Sequence, residues 1–470
     1  GGGGVMLVVW PVFRGGYLLR KPLGRGLCRS ALRGAVAVPC KVATRAGGGA
    51  ALHVAAAAAA AAARSHTSSA ATSTTFGVFL LSRSSSSSFS SSSWVGARLF
   101  LAAVGVALGG VVSAAETEGD ADQNGGDVAG GDGGLWSYSS AAYNANLPIE
   151  DRLAVQSSSK RTVAAVFDGH GGWQVADFAQ QRLVRAISGR LDKLPGNLGD
   201  SPRNQIEQIL KKSFEDTDAE WIELVREAFQ HGFGHVSRVG ACALVVVADE
   251  GHVVCANAGD CRAVLGKANA PAAALRHGPF EAVPLSSDHN AREAAEQLRL
   301  RQEHPDEANV VVCKNSSACY VKGRLQPTRA LGDLYLKLHE FNGPSREAGN
   351  VDGSAGPHVP PPYTPPYITA TPEVLLRSRD PRDSFIILAT DGLWDFMESQ
   401  EVVDFVGAVA STKSSLVDPR PGVAEALIRE ALRRAGAENS MSIDELKRIP
   451  PGRRRRSRHD DITVLVMFLN

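Results

Sequence analysis

Apolar residues gather into short runs rich in Val, Ile, Leu and Phe at Val163–Phe167, Ala243–Val247, Val253–Ala256, Phe385–Leu388 and Ile462–Phe468. Runs of this length and composition predict buried strands. Between them the period changes. Val175, Phe178, Ala179, Leu183, Ile187 and Leu191 recur at helical spacing, and so do Ile206, Ile209, Leu210, Phe214, Trp221, Leu224 and Ala228. Both series predict amphipathic helices laid on a sheet. Asn290 with Glu293, and Ser442 with Glu445, read as capping boxes that open further helices. The Gly/Pro-rich stretch 343–366 is too long for a simple connection and predicts an irregular, functional loop. Strands followed by helices, without regular alternation, place the chain in the α+β class rather than a doubly wound sheet.

Composition splits the 470 residues into unlike parts. Residues 1–115 carry eleven Lys/Arg and no Asp or Glu, for a charge of +11, whereas the rest holds 39 basic and 49 acidic side chains, for −10. The first part also contains nine consecutive alanines, Ala55–Ala63, and serine runs at 84–88 and 90–93. Such tracts lack the varied apolar side chains of a packed core, so no regular structure is expected there. An Arg- and Ser-rich, acid-free leader has the composition of a transit peptide, and a mitochondrial location is expected, with a cytoplasmic one as the alternative. The chain opens on four glycines rather than a methionine, so an incomplete or mispredicted start is expected. Within the leader, 99–115 is uncharged but diluted by glycine, a marginal membrane segment and the only route to membrane association. A Gly/Asp-rich linker is expected over 116–135, and a folded domain over 136–470. No repeat at solenoid or propeller period occurs.

The acidic body disfavours nucleic-acid binding, because phosphate backbones call for clustered Lys/Arg. The one basic run, Arg453–Arg456, reads as a solvated loop. Seven cysteines, with no Cys-x-x-Cys pair, argue against a disulfide framework or zinc ribbon and read as reduced and structural.

Acids fall where the apolar runs stop. Asp168-Gly169-His170-Gly171-Gly172 ends one run, Asp391-Gly392 ends another, and Asn257-Ala258-Gly259-Asp260 closes a third. His459-Asp460-Asp461 opens the last run, and Glu150-Asp151 precedes Leu153-Ala154-Val155. Buried carboxylates repel one another unless a cation neutralises them. An oxygen-rich set without His/Cys ligand spacing suits hard Mg²⁺ or Mn²⁺, and Gly169 could add its carbonyl. The chemistry this suits is metal-assisted hydrolysis: two ions bridged by a carboxylate lower the pKa of a shared water and aim it in line at phosphorus.

These segments, with Asn257-Ala258-Gly259-Asp260-Cys261-Arg262, Thr328-Arg329-Ala330-Leu331-Gly332-Asp333, Ala389-Thr390-Asp391-Gly392-Leu393-Trp394-Asp395 and Asp460-Asp461-Ile462-Thr463, occur in the order found in metal-dependent protein Ser/Thr phosphatases of type 2C, which the chain resembles over about 144–470. Within that family it is similar to the pyruvate dehydrogenase phosphatase branch through Pro148-Ile149-Glu150-Asp151-Arg152, Asp288-His289-Asn290 and Pro362-Tyr363-Thr364-Pro365-Pro366-Tyr367-Ile368-Thr369-Ala370 before Pro372-Glu373-Val374. The resemblance implies an antiparallel β-sandwich flanked by helices, with two Mg²⁺ or Mn²⁺ ions at one end. Asp168 would bridge both ions, Asp391 and Asp460 would hold one, and the Gly169 carbonyl, with Glu150 through water, would hold the other. Asp260 would join Asp391 at a weaker third ion. His170 would protonate the leaving alkoxide of a phosphoprotein substrate, and the pyruvate dehydrogenase complex, through its E1 subunit, is the substrate this branch implies.

The chain departs from the family pattern at two places. Asn146 stands where many members carry a phosphate-gripping Arg, and Cys242 stands where Thr is usual, which reads as a tolerated core change. Arg329 and Asp333 read as supports of the neighbouring loop. A cysteine phosphatase is disfavoured, because Cys255 and Arg262 enclose six residues, including Asp260, rather than the five of a phosphate loop. A cytosolic phosphatase with other substrates, and a non-catalytic binding module of the same fold, stay open as alternatives.

Overall fold

The computed structural model describes residues 6–12, 75–81, 135–270, 274, 278–315, 318–343, 359–412 and 422–469. The chain divides into two units, 1–118 and 119–470. In the first, Met6–Val12 pairs antiparallel with Thr75–Leu81. No element was expected in this leader, but both segments are local apolar runs with Val, Phe or Trp, which favour strand pairing over the surrounding Ala and Ser tracts. The 99–115 segment and nearly all of the 116–135 linker lie outside the described residues. Among the described residues, no helix is long and apolar enough to cross a membrane.

Elements are numbered within the second unit. Its principal strands are β1 Ser137–Tyr143, β2 Arg152–Ser157, β3 Thr162–His170, β4 Gly240–Ala248, β5 His252–Ala258, β6 Arg262–Ala268 and β7 Phe280–Pro284. The short strands β8 Val311–Cys313, β9 Cys319–Val321 and β10 Leu331–Gly332 follow, then β11 Glu373–Ser378, β12 Asp383–Ala389 and β13 Ile462–Phe468. The helices are α1 Gln174–Leu191, α2 Arg203–Gln230, α3 Ala294–Glu303, α4 Asp391–Trp394, α5 Ser399–Thr412, α6 Val423–Glu438, α7 Ile443–Arg448 and α8 Arg453–Arg456.

Two antiparallel sheets result, ordered β11-β5-β4-β3-β2, with β10 also paired to β4, and β1-β13-β12-β6-β7. Alternation along each strand divides the apolar side chains between two cores. On β4, Ala241, Ala243, Val245 and Val247 pack with residues of α1 and α2. Cys242, Leu244, Val246 and Ala248 pack instead with Leu265, Ile386, Leu388 and Leu465 of the second sheet. The outer face of that sheet, through Phe385, Ile387, Val464 and Val466, packs on Val402, Val406, Leu427 and Leu432 of α5 and α6. The layers are therefore helix, sheet, sheet, helix. Covering both faces of each sheet is why the central strands read as unbroken apolar runs, and burying each large aliphatic or aromatic side chain contributes roughly 1.5–3 kcal/mol.

The five predicted strands and both predicted long helices are present, each near its expected bounds. Ser442 caps α7 as expected, its Oγ accepting from Glu445 N (3.2 Å) while its own N donates to Glu445 Oε2 (2.8 Å). The second capping box does not form. Glu293 is the residue before α3, and Asn290 donates from Nδ2 to Asp260 Oδ2 (2.8 Å) instead. The cysteine reading is also corrected: Cys313 and Cys319 form a disulfide, because the β8–β9 register sets them directly opposite. Cys242, Cys255 and Cys261 are free and buried as expected. Of the predicted loop 343–366, residues 344–358 lie outside the described set.

Register places the acidic segments at one end of the sandwich. His170 at the close of β3 pairs with Gly240 at the start of β4, and Phe167 pairs with Arg152 at the start of β2. Ala389, ending β12, pairs with Arg262 at the start of β6 and with Val464 near the start of β13. Antiparallel pairing thus gathers the ends of β3, β5 and β12 with the beginnings of β2, β6 and β13.

Candidate metal centre

At that end, ligand oxygens of Asp168, Asp260 and Asp391 lie within 4.8 Å of one another. Each acid comes from a different segment. Asp168 belongs to β3, Asp260 to the β5–β6 turn, and Asp391 to the first residue of α4. Asp460 stands outside this trio, its carboxylate engaged by Arg456 and by the Asp461 amide (2.7 Å). Glu150 enters through its neighbour Asp461, which accepts hydrogen bonds from Ala145 N (2.5 Å), Asn146 N (2.8 Å), Asn146 Nδ2 (3.1 Å) and Glu150 N (2.8 Å). Asp461 thereby pins the segment before β2 against the start of β13.

Gly169 is dictated by this approach. A Cβ there would collide with the Glu150 carbonyl, so any larger residue would push the β2 entry away from β3. Thr390 provides a second tie, donating from Oγ1 to Asp151 Oδ2 (2.9 Å) and accepting from Thr463 N (3.0 Å). Asp260 is held on both oxygens, by Asn290 and by the Cys242 thiol (3.1 Å). Cys242 is thus more than the core change read from sequence. Burial, with Asp260 and Asp168 nearby, pushes its thiol pKa well up, which keeps it a donor.

The acids strain against one another. Burial, then the charges of Asp391, Asp151, Asp460 and Asp260, push Asp168 well above the ordinary carboxylate range. Asp391 is raised in the same way, by burial and then by Asp460 and Asp260. Burial also raises Asp151, with Asp461 adding to the effect. Asp460 rises to about 6 through burial, against the pull of Arg456, and Glu150 to about 7 through burial and Asp461. Asp395, one turn along α4, is raised by desolvation and by Asp260 against the pull of Arg292. Buried Asp391 Oδ1 has no hydrogen-bond partner. An all-oxygen donor set, raised acids and an unpartnered carboxylate oxygen fit hard divalent cations.

His170 is the nitrogen base of the cluster. Its Nε2 meets Asp333 Oδ2 at 2.6 Å, and a Cβ on Gly240 would collide with both partners. Burial lowers the imidazole pKa, but the charge and hydrogen bond of Asp333 outweigh it, and the net shift is upward. Asp333 itself sits in the left-handed region at φ 52°. Its loop is clamped from two helices. Asp218 of α2 accepts from Gly332 N (2.7 Å) and Lys337 Nζ (2.6 Å), and Lys337 also donates to the Ala330 carbonyl (2.8 Å). Glu296 of α3 accepts from Thr328 Oγ1 (2.5 Å) and Arg299 Nη2 (2.9 Å). Burial would raise Glu296, but Arg299 and Thr328 hold it down at about 2. Asp333 therefore works as a positioning residue for His170, a more direct part than loop support, and Arg329 stays with the loop.

Sequence reasoning did not single out Asp395, Asp218 or Glu296, nor the contact of Arg456 with Asp460. Asp395 lies within the Asp391-Gly392-Leu393-Trp394-Asp395 segment, four residues beyond Asp391, so one helical turn was a signal available for it. Arg453–Arg456 is not a solvated loop but the helical turn α8, with Arg455 buried. Its carbonyl partners, absent from any charge count, draw that arginine inward.

Strands of two packed sheets, with oxygen donors gathered at one end beside an imidazole held by a carboxylate, define a metal-dependent phosphoester hydrolase. The family model of protein phosphatase 2C matches residues 138–440. The chain is 35% identical over 341 residues to probable protein phosphatase 2C 48 of Arabidopsis thaliana, covering 71% of this chain and 80% of that one. It is 32% identical over 362 residues to probable protein phosphatase 2C 25 of Oryza sativa subsp. japonica, covering 74% and 85%. Among solved structures, serine-threonine phosphatase 2C from Toxoplasma gondii shares the fold at TM-score 0.50 and 16% identity, over 73% of this chain and 96% of that one. The chain belongs to the protein phosphatase 2C family, the metal-dependent protein serine/threonine phosphatases.

The raised acids set a pH dependence for cation binding. A carboxyl whose folded pKa lies above its unfolded value costs the fold nothing at low pH; its penalty grows as pH rises from the unfolded value and is complete above the folded one. For Glu150 that window runs from 4.5 to about 7. Mn²⁺ should therefore raise the melting temperature more at pH 7.5 than at pH 5.5, as read by thermal denaturation with and without the ion. Equal shifts at both pH values would contradict the repulsion.

Proposed function

We propose that the chain hydrolyses phosphoserine and phosphothreonine esters of proteins with Mg²⁺ or Mn²⁺ held by Asp168, Asp391, Asp460, the Gly169 carbonyl and, through water, Glu150, with Asp260 at a weaker third position beside Asp391. The observation that carries this reading is the convergence of Asp168, Asp260 and Asp391 within 4.8 Å, at the strand end that also bears His170. When bound, the cations supply Lewis acidity that lowers the pKa of a shared water and offsets charge on the phosphoryl oxygens. The protein's own groups do the rest. Asp461 and Thr390 fix the segments carrying Glu150 and Asp391, so the donors need little rearrangement. As the bond from phosphorus to the seryl or threonyl oxygen breaks, His170 gives its proton to that oxygen. Asp333 retains Nε2 and leaves Nδ1 for the leaving group.

The leading substrate is the E1 subunit of the pyruvate dehydrogenase complex, in mitochondria. Support comes from the branch-like segments at 148–152, 288–290 and 362–374, and from the acid-free, Arg- and Ser-rich leader. A cytoplasmic phosphatase with other substrates is the second reading. A comparison of the purified full chain on phosphorylated E1 and on a panel of unrelated phosphoproteins separates them: a preference for E1 of at least about tenfold in kcat/KM is expected, whereas equal turnover across the panel would contradict the assignment.

His170 makes a sharper test of mechanism. Its pKa lies above the ordinary 6.5, so the protonated acid is present below the raised value and is lost as pH rises through it. On phosphopeptides, kcat should fall along an alkaline limb. His170→Ala should remove that limb and lower kcat about 10²–10⁴-fold, while aryl phosphates, whose leaving groups need no proton, lose far less. Equal losses on both substrate types would contradict the acid role.

A further inference from the structure

A phosphomonoester dianion entering this site passes the carboxylates around it, and a guanidinium held among them would grip its oxygens alongside the bound cations. Asn146 brings no charge to that task, and its backbone N and one of its two side-chain N–H donors are already given to Asp461. The geometry points to Arg456 as the ligand of the substrate phosphate, a role that rests on the phosphatase reading above. Arg456 contacts Asp460 Oδ2 through Nη2, while half of its side-chain surface (51%) remains open. The guanidinium carries five N–H donors, so the carboxylate contact leaves others for a second anion. Its positive charge also bears on Glu150 and Asp395, which come from two further segments of the site.

The neighbouring residue explains how so long a side chain is aimed. Arg455 is buried and makes three hydrogen bonds to backbone carbonyls, from Nε to Ile449 (2.7 Å), Nη1 to Asn144 (2.9 Å) and Nη2 to Lys447 (3.0 Å). Its guanidinium also lies over the Tyr143 ring, 5.2 Å from the centroid. The single turn Arg453–Arg456 is thereby anchored to Asn144, and Asp461 secures the next two residues, Ala145 and Asn146. The basic run thus has a buried anchor at Arg455 and a forked cation at Arg456, while Arg453 and Arg454 face solvent. Asp460 tethers the guanidinium beside the acids, where the phosphoryl oxygens of a substrate would arrive.

The test is binding of inorganic phosphate, the reaction product, to the full-length protein in saturating Mn²⁺, measured by calorimetry alongside Mn²⁺ affinity and the kcat and KM for a phosphopeptide. Arg456→Ala should weaken phosphate binding roughly tenfold to hundredfold, the range expected for lost charge-assisted hydrogen bonds, and raise KM. Arg456→Lys, which keeps charge without the fork, should restore part of that loss, and Arg453→Ala should change nothing. Circular dichroism and Mn²⁺ affinity establish that each variant is folded and loaded. Should Arg456→Ala alter Mn²⁺ affinity yet leave phosphate binding and KM at wild-type values, Arg456 only balances the acids and the inference is overturned. A wild-type chain that binds Mn²⁺ but turns over no phosphopeptide would overturn the phosphatase reading itself, a distinct outcome.

Discussion

Carboxylate repulsion in a half-buried cleft is the constraint around which this fold is organised. Two unit charges at the spacing of Asp168, Asp260 and Asp391 oppose each other by on the order of 3–4 kcal/mol at an effective dielectric near 20. With Glu150, Asp151, Asp395 and Asp460 added, so many acids would drift apart or stay protonated on a loose framework. They are held together because each is attached to an element whose position is already fixed by apolar packing. Strand β3, fully buried from Thr162 to Phe167, carries Asp168, and β12, buried from Phe385 to Ala389, leads into Asp391. The three cores thus supply the stability that the site consumes, and the repulsion is of the kind that bound cations would relieve.

A ring of hydrogen bonds converts strand position into ligand position. Asp461 gathers three backbone amides and the Asn146 side chain, and Thr390 joins Asp151 to β13. Asn290 and Cys242 divide the two oxygens of Asp260 between them. On the far side, Asp218 and Glu296 reach from two helices to the loop that carries Asp333, so the imidazole of His170 is set from elements other than the strands that carry the metal-site acids. Most of these supports are themselves polar and buried. Their cost is offset by the hydrogen bonds named above, while Asp333 Oδ1 is left without a partner.

Much of this was legible in the sequence, and the reason is physical. Unbroken apolar runs bordered by acids mark strands covered on both faces that stop where charge begins, and that pattern marks Glu150, Asp151, Asp168, Asp260, Asp391, Asp460 and Asp461 alike, the choice of ligands among them being what the family resemblance implies. Ser442 and Glu445 could be read as a cap because both partners are local. Asn290 and Glu293 carried the same local signature, yet the tertiary demand of Asp260 took the asparagine. The disulfide of Cys313 and Cys319 depends on hairpin register, which a six-residue spacing does not encode. The run at Arg453–Arg456 looked uniform because charge patterning cannot tell a guanidinium that finds carbonyls from one that finds water; Asn144, Ile449 and Lys447 decide it. Contacts spanning about three hundred residues, such as Ala145 with Asp461, leave no periodic trace in a single sequence.

The most direct test of the central claim is electron paramagnetic resonance of the Mn²⁺-loaded chain, which reports whether two ions share a bridging ligand. The wild type should bind two tightly held ions with a spin-coupled signal, and Asp168→Asn should lose the coupling. Wild-type protein that shows only isolated, weakly held Mn²⁺, or an Asp168→Asn variant that keeps the coupled signal, would contradict an acid cluster that shares cations through Asp168.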